Sequence, residues 1–377
     1  MSLRVAIVTE SFLPQINGVT NSVVRVLETL KAREHEALVI APTAPTSRHL
    51  GFPVHQSPNL PLLQFAVGVP SPSISRELDE FQPDVVHVAA PFLLGAQALG
   101  WAKRNGVPSV AIYQTDVAGY LERYNLSFAK PVMERLTAAI HSLATLNLAP
   151  TKLSADYLKR LGIPRVGVWG RGVDLDLFTP QNKDLAEAKA LRARLGDKPV
   201  IGFVGRLAQE KQVHRMAELF SLDCNFLIVG DGPERVRLES ELGHRTEFVG
   251  AKTGLELAAH YAAMDIFVHF GTEETFGQTI QEAMASGVPV VAPNRGGTAT
   301  LVKDQQTGFL VDPFAPGSYE IAVVQLLDPK LRNRFGLSAR SEVQGRSWEA
   351  NNAKLLGYYD LARALAGTPE VEQIELA

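Results

Sequence analysis

At 377 residues, 46% hydrophobic and 20% charged, with a formal net charge of −3, the chain is long enough for two globular domains, each with its own core. That charge balance, without a visible basic stripe, excludes nucleic acid as the main partner. A single cysteine excludes an internal disulfide framework, no apolar run approaches the ~20 residues of a membrane span, and no charged-then-apolar leader opens the chain, so the expected location is cytoplasmic, in solution or peripheral on the inner face of the membrane.

Residues 4–8 form the first apolar, β-branched run and read as a buried strand, with further strands expected at 37–41, 85–88, 109–113 and 146–149. Helical periodicity occupies 19–31, 73–81, 95–105 and 133–142 between them. His87, near the end of its strand, reads equally as a packed core histidine and as a ligand contact. The stretch 60–70 is apolar, uncharged and bracketed by prolines; it reads as a loop over an acceptor side or as a segment buried against the first core. A domain boundary is expected near 172–180, ahead of a charged, Ala-rich segment. Within it Asp174 and Asp176 imitate a metal-binding Asp-x-Asp pair. A divalent ion needs several converging oxygens, and no further cluster accompanies them, so the pair reads as structural and no metal is expected.

A second strand series follows at 200–204, 226–229, 246–249, 266–269, 289–292 and 308–311. Cys224, just ahead of one of these runs, reads as a buried thiol rather than a nucleophile. A helix from Trp348 to about Ala366 ends the pattern and is expected to cross back onto the first domain. This alternation predicts an α/β fold of two doubly wound, Rossmann-like domains facing a deep cleft. The expected divisions are 1–175, 176–347 and 348–377. In such sheets ligands bind beyond the carboxyl ends of the strands, so the loops there are where chemistry belongs.

The most informative loop runs from Glu274 through Phe276 and Gly277 to Glu282 and Gly287. A short helix is expected to begin near Gly277 and stop at Gly287. Gln278 and Thr279 then share a face with Glu282. Backbone N–H groups at such a helix start attract an anion, and a carboxylate one turn on suits a sugar diol. The same spacing also suits a solvated helix face. After the strand at 200–204, Arg206 and Lys211 stand five apart at the expected start of a helix and suit a pyrophosphate clamp, the alternative being a solvated end with a Glu210–Lys211 charge pair. Gly230-Asp231-Gly232-Pro233-Glu234 reads as a tight turn opening a helix. The backbone of Gly250, Ala251 and Lys252 is placed to meet a base edge.

In this order, the Gly-Arg-x4-Lys loop, Val-Gly-Asp-Gly-Pro-Glu, Phe-Val-Gly and the two-Glu segment resemble the retaining GT-B glycosyltransferases of family four, over nearly the whole chain. The opening from Thr9 to Val19, and Tyr113-Gln114-Thr115-Asp116 with Tyr120 and Tyr124, resemble the subgroup of GDP-mannose-dependent α-mannosyltransferases and sulfoquinovosyltransferases that modify glycolipids. The resemblance implies an N-terminal acceptor-side domain and a C-terminal nucleotide-sugar donor domain. It implies that Arg206 and Lys211 hold the donor phosphates, that Glu274 meets hydroxyls of the transferred sugar and that Glu282 meets the ribose diol. Phe276, Gly277 and Gln278 would line the sugar and pyrophosphate, Ala251 and Lys252 the base, and Gly18 the donor phosphate across the cleft. Many relatives carry a His where Asp116 aligns; an Asp accepts from a sugar hydroxyl but supplies no neutral N–H.

The implied activity is retaining transfer of a hexose, mannose from GDP-mannose, to a lipid-linked or glycolipid acceptor. Contact with a membrane surface is implied, and no cofactor. The alternatives are a glucosyl or sulfoquinovosyl transferase using a UDP donor, a nucleotide-sugar 2-epimerase of the same fold, and a non-catalytic sugar-nucleotide binder.

Overall fold

A computed structural model describes residues 2–15, 17–62, 65–114 and 130–366. The chain forms two compact units, one of Met1–Arg171 with Trp348–Ala377, the other of Gly172–Ser347.

The strands of the first unit are β1 (Arg4–Thr9), β2 (Glu36–Ala41), β3 (Arg48–His49), β4 (Phe52–Gln56), β5 (Asn59–Leu62), β6 (Phe65–Gly68), β7 (Val85–Ala89), β8 (Ser109–Ile112), β9 (Leu146–Ala149) and β10 (Val166–Val168). Its main sheet runs β10-β9-β8-β7-β1-β2-β4-β3 and is parallel except where β3 meets β4. Val5, Ala6, Ile7 and Val8 are all buried, because helices cover both faces of a parallel sheet; that is why the run is continuously apolar rather than alternating. Two of its strands carry almost no apolar signal. β4 contains Pro53, His55 and Gln56 around the one buried residue, Val54, and β10 is three residues long with a central glycine. Within the stretch 60–70, β5 and β6 pair antiparallel, with Leu60 64% exposed.

The first helix, Gly18–Ala32, is capped by Asn17, whose Oδ1 accepts from the N–H groups of Val19 and Thr20 at 2.9 and 3.0 Å. Its buried stripe is Val19, Val23, Val26, Leu27 and Leu30, the 3.6-residue period of a helix on a sheet. The helix Trp348–Leu365 packs into this same unit. Asn352 donates to Arg25 O and Thr29 Oγ1, and the Tyr359 hydroxyl lies 2.6 Å from His87 Nδ1. His87 is therefore a core residue, and burial holds its pKa down at about 3.

The second unit carries β11 (Val200–Val204), β12 (Asn225–Val229), β13 (Thr246–Phe248), β14 (Ile266–Val268), β15 (Val290–Pro293) and β16 (Gly308–Val311). All its pairings are parallel, in the order β13-β12-β11-β14-β15-β16, the doubly wound pattern with its reversal between β11 and β14. The unit begins at Gly172, four residues ahead of the expected division. Val173 bridges to Ser347 and donates its N–H to Arg346 O, and Gln278 Nε2 donates to Gly172 O. Asp174 Oδ1 accepts from Leu177 N–H at 3.0 Å, a turn bond of the kind aspartates make. Arg340 fastens the same segment by donating to Leu175 O, Phe178 O and Ala285 O. Cys224 is buried with no disulfide, and burial pushes its thiol pKa up. No helix among the described residues is long and apolar enough to cross a membrane.

Candidate active site

In the second unit the topological reversal brings the carboxyl ends of β11 and β14 side by side: Ile201 aligns with Ile266 and Gly202 with Phe267. The loop after β11 carries Arg206 and Lys211, and the loop after β14 carries Glu274 and leads into the short helix. Residues 63 apart in sequence are thereby neighbours.

The β11 loop is gripped from below by the turn after β12. Gly205 N–H donates to Val229 O, Leu207 N–H to Asp231 O and Glu234 N–H to Leu207 O. Gly230 has φ 149°, and a Cβ there would strike the Gly205 carbonyl oxygen. The Gly-Asp-Gly-Pro-Glu turn is thus the support of the Arg206 loop. Lys211 does not open an α-helix. It ends a 3₁₀ turn, Gln209–Lys211, and Gln212, at φ 51°, breaks the chain before a second 3₁₀ stretch, Val213–Leu219. Nor does Lys211 pair with Glu210. Its ammonium pairs with Glu274 Oε1.

The same Glu274 oxygen lies 3.5 Å from Nε2 of His269, the residue just after β14. His269 is fully buried, its ring stacked on Phe203 at 6.3 Å and bonded to the Gly271 backbone. Burial is the main cause that lowers its pKa to about 4, against the opposing pull of Glu274, so the imidazole is neutral at neutral pH. In the sequence His269 reads only as a strand end. A polar residue closing a strand beside the ligand-binding edge was the available signal.

The backbone of the Glu274 loop rests on a second glycine pair. Gly297 N–H donates to Glu274 O at 2.6 Å, and a Cβ on Gly297 would stand 2.6 Å from Phe276 N and from the Thr275 carbonyl. Gly297→Ala is expected to shift this loop. It should lower the catalytic rate at least tenfold with a thermal midpoint within a few degrees of the parent, read by steady-state kinetics beside a melt.

The helix spans Gln278–Ala285, with Gly277 at φ 101° as its N-cap and Gly287 at φ 74° just past its end. Only glycine takes the first conformation without strain, and Phe276 before it is buried. The first-turn N–H groups face outward from the helix start, a setting for an anion. One turn on, Glu282 Oε2 accepts from the Tyr261 hydroxyl at 2.9 Å, and the Gln278 side chain also bonds to this carboxylate. Removal from water raises the Glu282 pKa to about 7, and those hydrogen bonds offset only part of it. The buried Tyr261 hydroxyl was not foreseen, because it comes from a helix 21 residues away.

Arg206 is exposed on the β11 loop. Ala251 is exposed after β13, and Lys252 pairs with Glu256 on the following helix. Gly18, in the first unit, opens its helix beneath the Arg171 guanidinium, which donates to Gln114 Oε1 at 3.2 Å; a Cβ on Gly18 would collide with it. Asp116, Tyr120 and Tyr124 lie outside the described residues.

Comparisons with known proteins agree with this fold. Residues 16–177 match the profile described as Glycosyltransferase Family 4, and residues 187–342 that described as Glycosyl transferases group 1. A GDP-mannose-dependent alpha-mannosyltransferase of Mycolicibacterium smegmatis is 44% identical over 372 residues, 95% of this chain and 97% of that protein. The sulfoquinovosyl transferase SQD2 of Arabidopsis thaliana is 32% identical over 76% of this chain and 58% of its own length. Among solved structures, sucrose-phosphate synthase from Thermosynechococcus elongatus superposes with a TM-score of 0.79 at 23% identity, covering 96% of this chain and 99% of that one, which shows a common fold. With its two Rossmann-like units and its extended identity to those relatives, the chain belongs to glycosyltransferase family four and has the GT-B architecture.

Proposed function

We propose that the protein transfers a mannosyl group from GDP-mannose to a hydroxyl of a lipid-linked or glycolipid acceptor, with retention at the anomeric carbon and without a metal ion. The observation that carries this reading is the meeting of Lys211, Glu274 and an outward-facing helix start at the reversal point of the second unit's sheet. Relatives at 42 to 44% identity, which are GDP-mannose-dependent alpha-mannosyltransferases, support this donor.

In this reading the bond from the anomeric carbon to the distal phosphate oxygen breaks as the acceptor oxygen bonds to that carbon. The acceptor proton passes to the departing phosphate. Negative charge grows on that phosphate, where Arg206, Lys211 and the N–H groups at Gly277 and Gln278 stabilise it. Glu274 accepts from sugar hydroxyls, Glu282 from the ribose diol, and the backbone at Ala251 and Lys252 borders the base. Asp116 and Gly18 are the first unit's contributors. The exposed Leu60 on the β5–β6 pair supports an apolar acceptor and contact with a membrane surface.

Incubation with GDP-mannose and, separately, with UDP-glucose tests the reading. Release of free GDP from the first alone, with mannose set free or transferred, is expected. A converted sugar still joined to its nucleotide would indicate an epimerase, and an unchanged donor a binder. Release from the UDP sugar alone would favour the second reading, a UDP donor, which the sulfoquinovosyl relative supports. Failure to sediment with anionic liposomes would remove the membrane contact.

A further inference from the structure

We propose that His269 is a positioning residue that takes over Glu274 when Lys211 turns to the donor diphosphate. The inference rests on the reading of Lys211 and Glu274 given above and adds how one site serves both. In the structure the two residues assigned to phosphate and sugar hold each other. A diphosphate draws the ammonium away or obliges it to share its three protons, and the hold of Lys211 on Glu274 weakens just when Glu274 must meet the sugar.

His269 is placed to fill that gap. Its Nε2 is 3.5 Å from the very oxygen that Lys211 holds, a few tenths of an ångström beyond a hydrogen bond. The ring cannot wander, being fully buried and stacked on Phe203. The Gly271 backbone also bonds to the ring and helps to fix it. A neutral ring protonated on Nε2 donates to Glu274 without adding a charge that would compete with Lys211 for the phosphate. The rigid support comes from strand β14, which His269 directly follows, and its neighbour β11 leads into the loop of Lys211.

The test uses the full chain. In His269→Phe, which keeps the stack and removes the donor, kcat/KM for GDP-mannose is expected to fall about tenfold while the Kd for GDP, which has no sugar, stays within twofold. His269→Gln should recover part of the loss. Adding His269→Phe to Glu274→Ala should cost nothing further, since the residue acts only through that carboxylate. Should the Phe variant not fold, the parent labelled with ¹⁵N-histidine gives the same answer: among its nine histidines, one Nε2–H should become hydrogen-bonded when GDP is added. Parent-like kcat/KM in the Phe variant, additivity with Glu274→Ala, parallel loss of GDP affinity, or an unmoved histidine spectrum with GDP bound each overturns the proposal. A parent protein that binds neither GDP nor UDP would instead sink the reading of the site itself.

Discussion

Lys211→Ala is expected to lower kcat for mannosyl transfer by on the order of 10²-fold while weakening donor binding by less than tenfold. The diphosphate is already anionic in the bound donor, so part of the lysine's attraction exists before reaction. As the glycosidic bond breaks, further charge gathers on the distal phosphate, and a fixed ammonium in a partly dry setting then gains most. Lys211 is 23% exposed and Glu274 18%, enough shielding for the interaction to exceed that of a surface pair. Lys211→Met, which keeps the apolar stem, should behave like the alanine variant if charge is the cause. The double variant Lys211→Ala with Glu274→Gln should lose less than the two single losses multiplied, because the residues are paired. Equal losses in kcat and in donor affinity would mean that the lysine only binds, and the leaving-group role would be refuted. Arg206, exposed on its loop, is expected to show a smaller and more uniform effect.

The pairing behind that forecast was not legible in the amino-acid sequence. Buried parallel strands were: β1, β2, β7, β11 and β12 are runs of Val, Ile, Leu and Ala whose composition reflects cover on both faces. Strands at the margin were not, since β4 holds a proline and a histidine and β10 only three residues. The helix after Glu274 was legible within a residue or two at each end because Gly277 and Gly287 occupy conformations that other residues avoid. What no local pattern encodes is the sheet order. Only the reversal between β11 and β14 sets Lys211 against Glu274 and His269 beneath both. Long-range packing likewise brings Tyr261 to Glu282, and it turned the expected helix start at Lys211 into a 3₁₀ turn held by the neighbouring loop.

Glu282 sets the second large expectation, a pH dependence that runs in opposite directions for stability and for donor binding. The folded protein raises this carboxyl from 4.5 to about 7, so between those values the native state holds a proton that the unfolded chain has released. Its contribution to stability is complete below pH 4.5 and is lost as pH rises through 7, by about 3 kcal/mol at most. Glu10, which accepts from the N–H groups of Phe92, Leu94 and Gly95 and is also raised to about 7, acts in the same sense. His87, His141 and His269, buried and lowered to between about 3 and 4, act in the other, adding stability as pH rises toward 6.5. The Glu282 share is therefore read as the difference between the parent and Glu282→Gln in urea unfolding from pH 5 to 8: the parent should lose ground to the variant across that interval. Donor binding should show the reverse. A diol donates two hydrogen bonds best to an ionised carboxylate, so the parent's Kd for GDP-mannose should fall about tenfold from pH 6 to pH 8, as expected for one proton leaving a group near 7. GDP-mannose is the right probe because its diphosphate diester does not titrate in this range, whereas the terminal phosphate of GDP does. In Glu282→Gln the pH dependence should vanish and the affinity should settle below the parent's value at pH 8. A parent Kd flat across this range would remove Glu282 from the ribose and leave it a partner of Tyr261 and Gln278 within the protein.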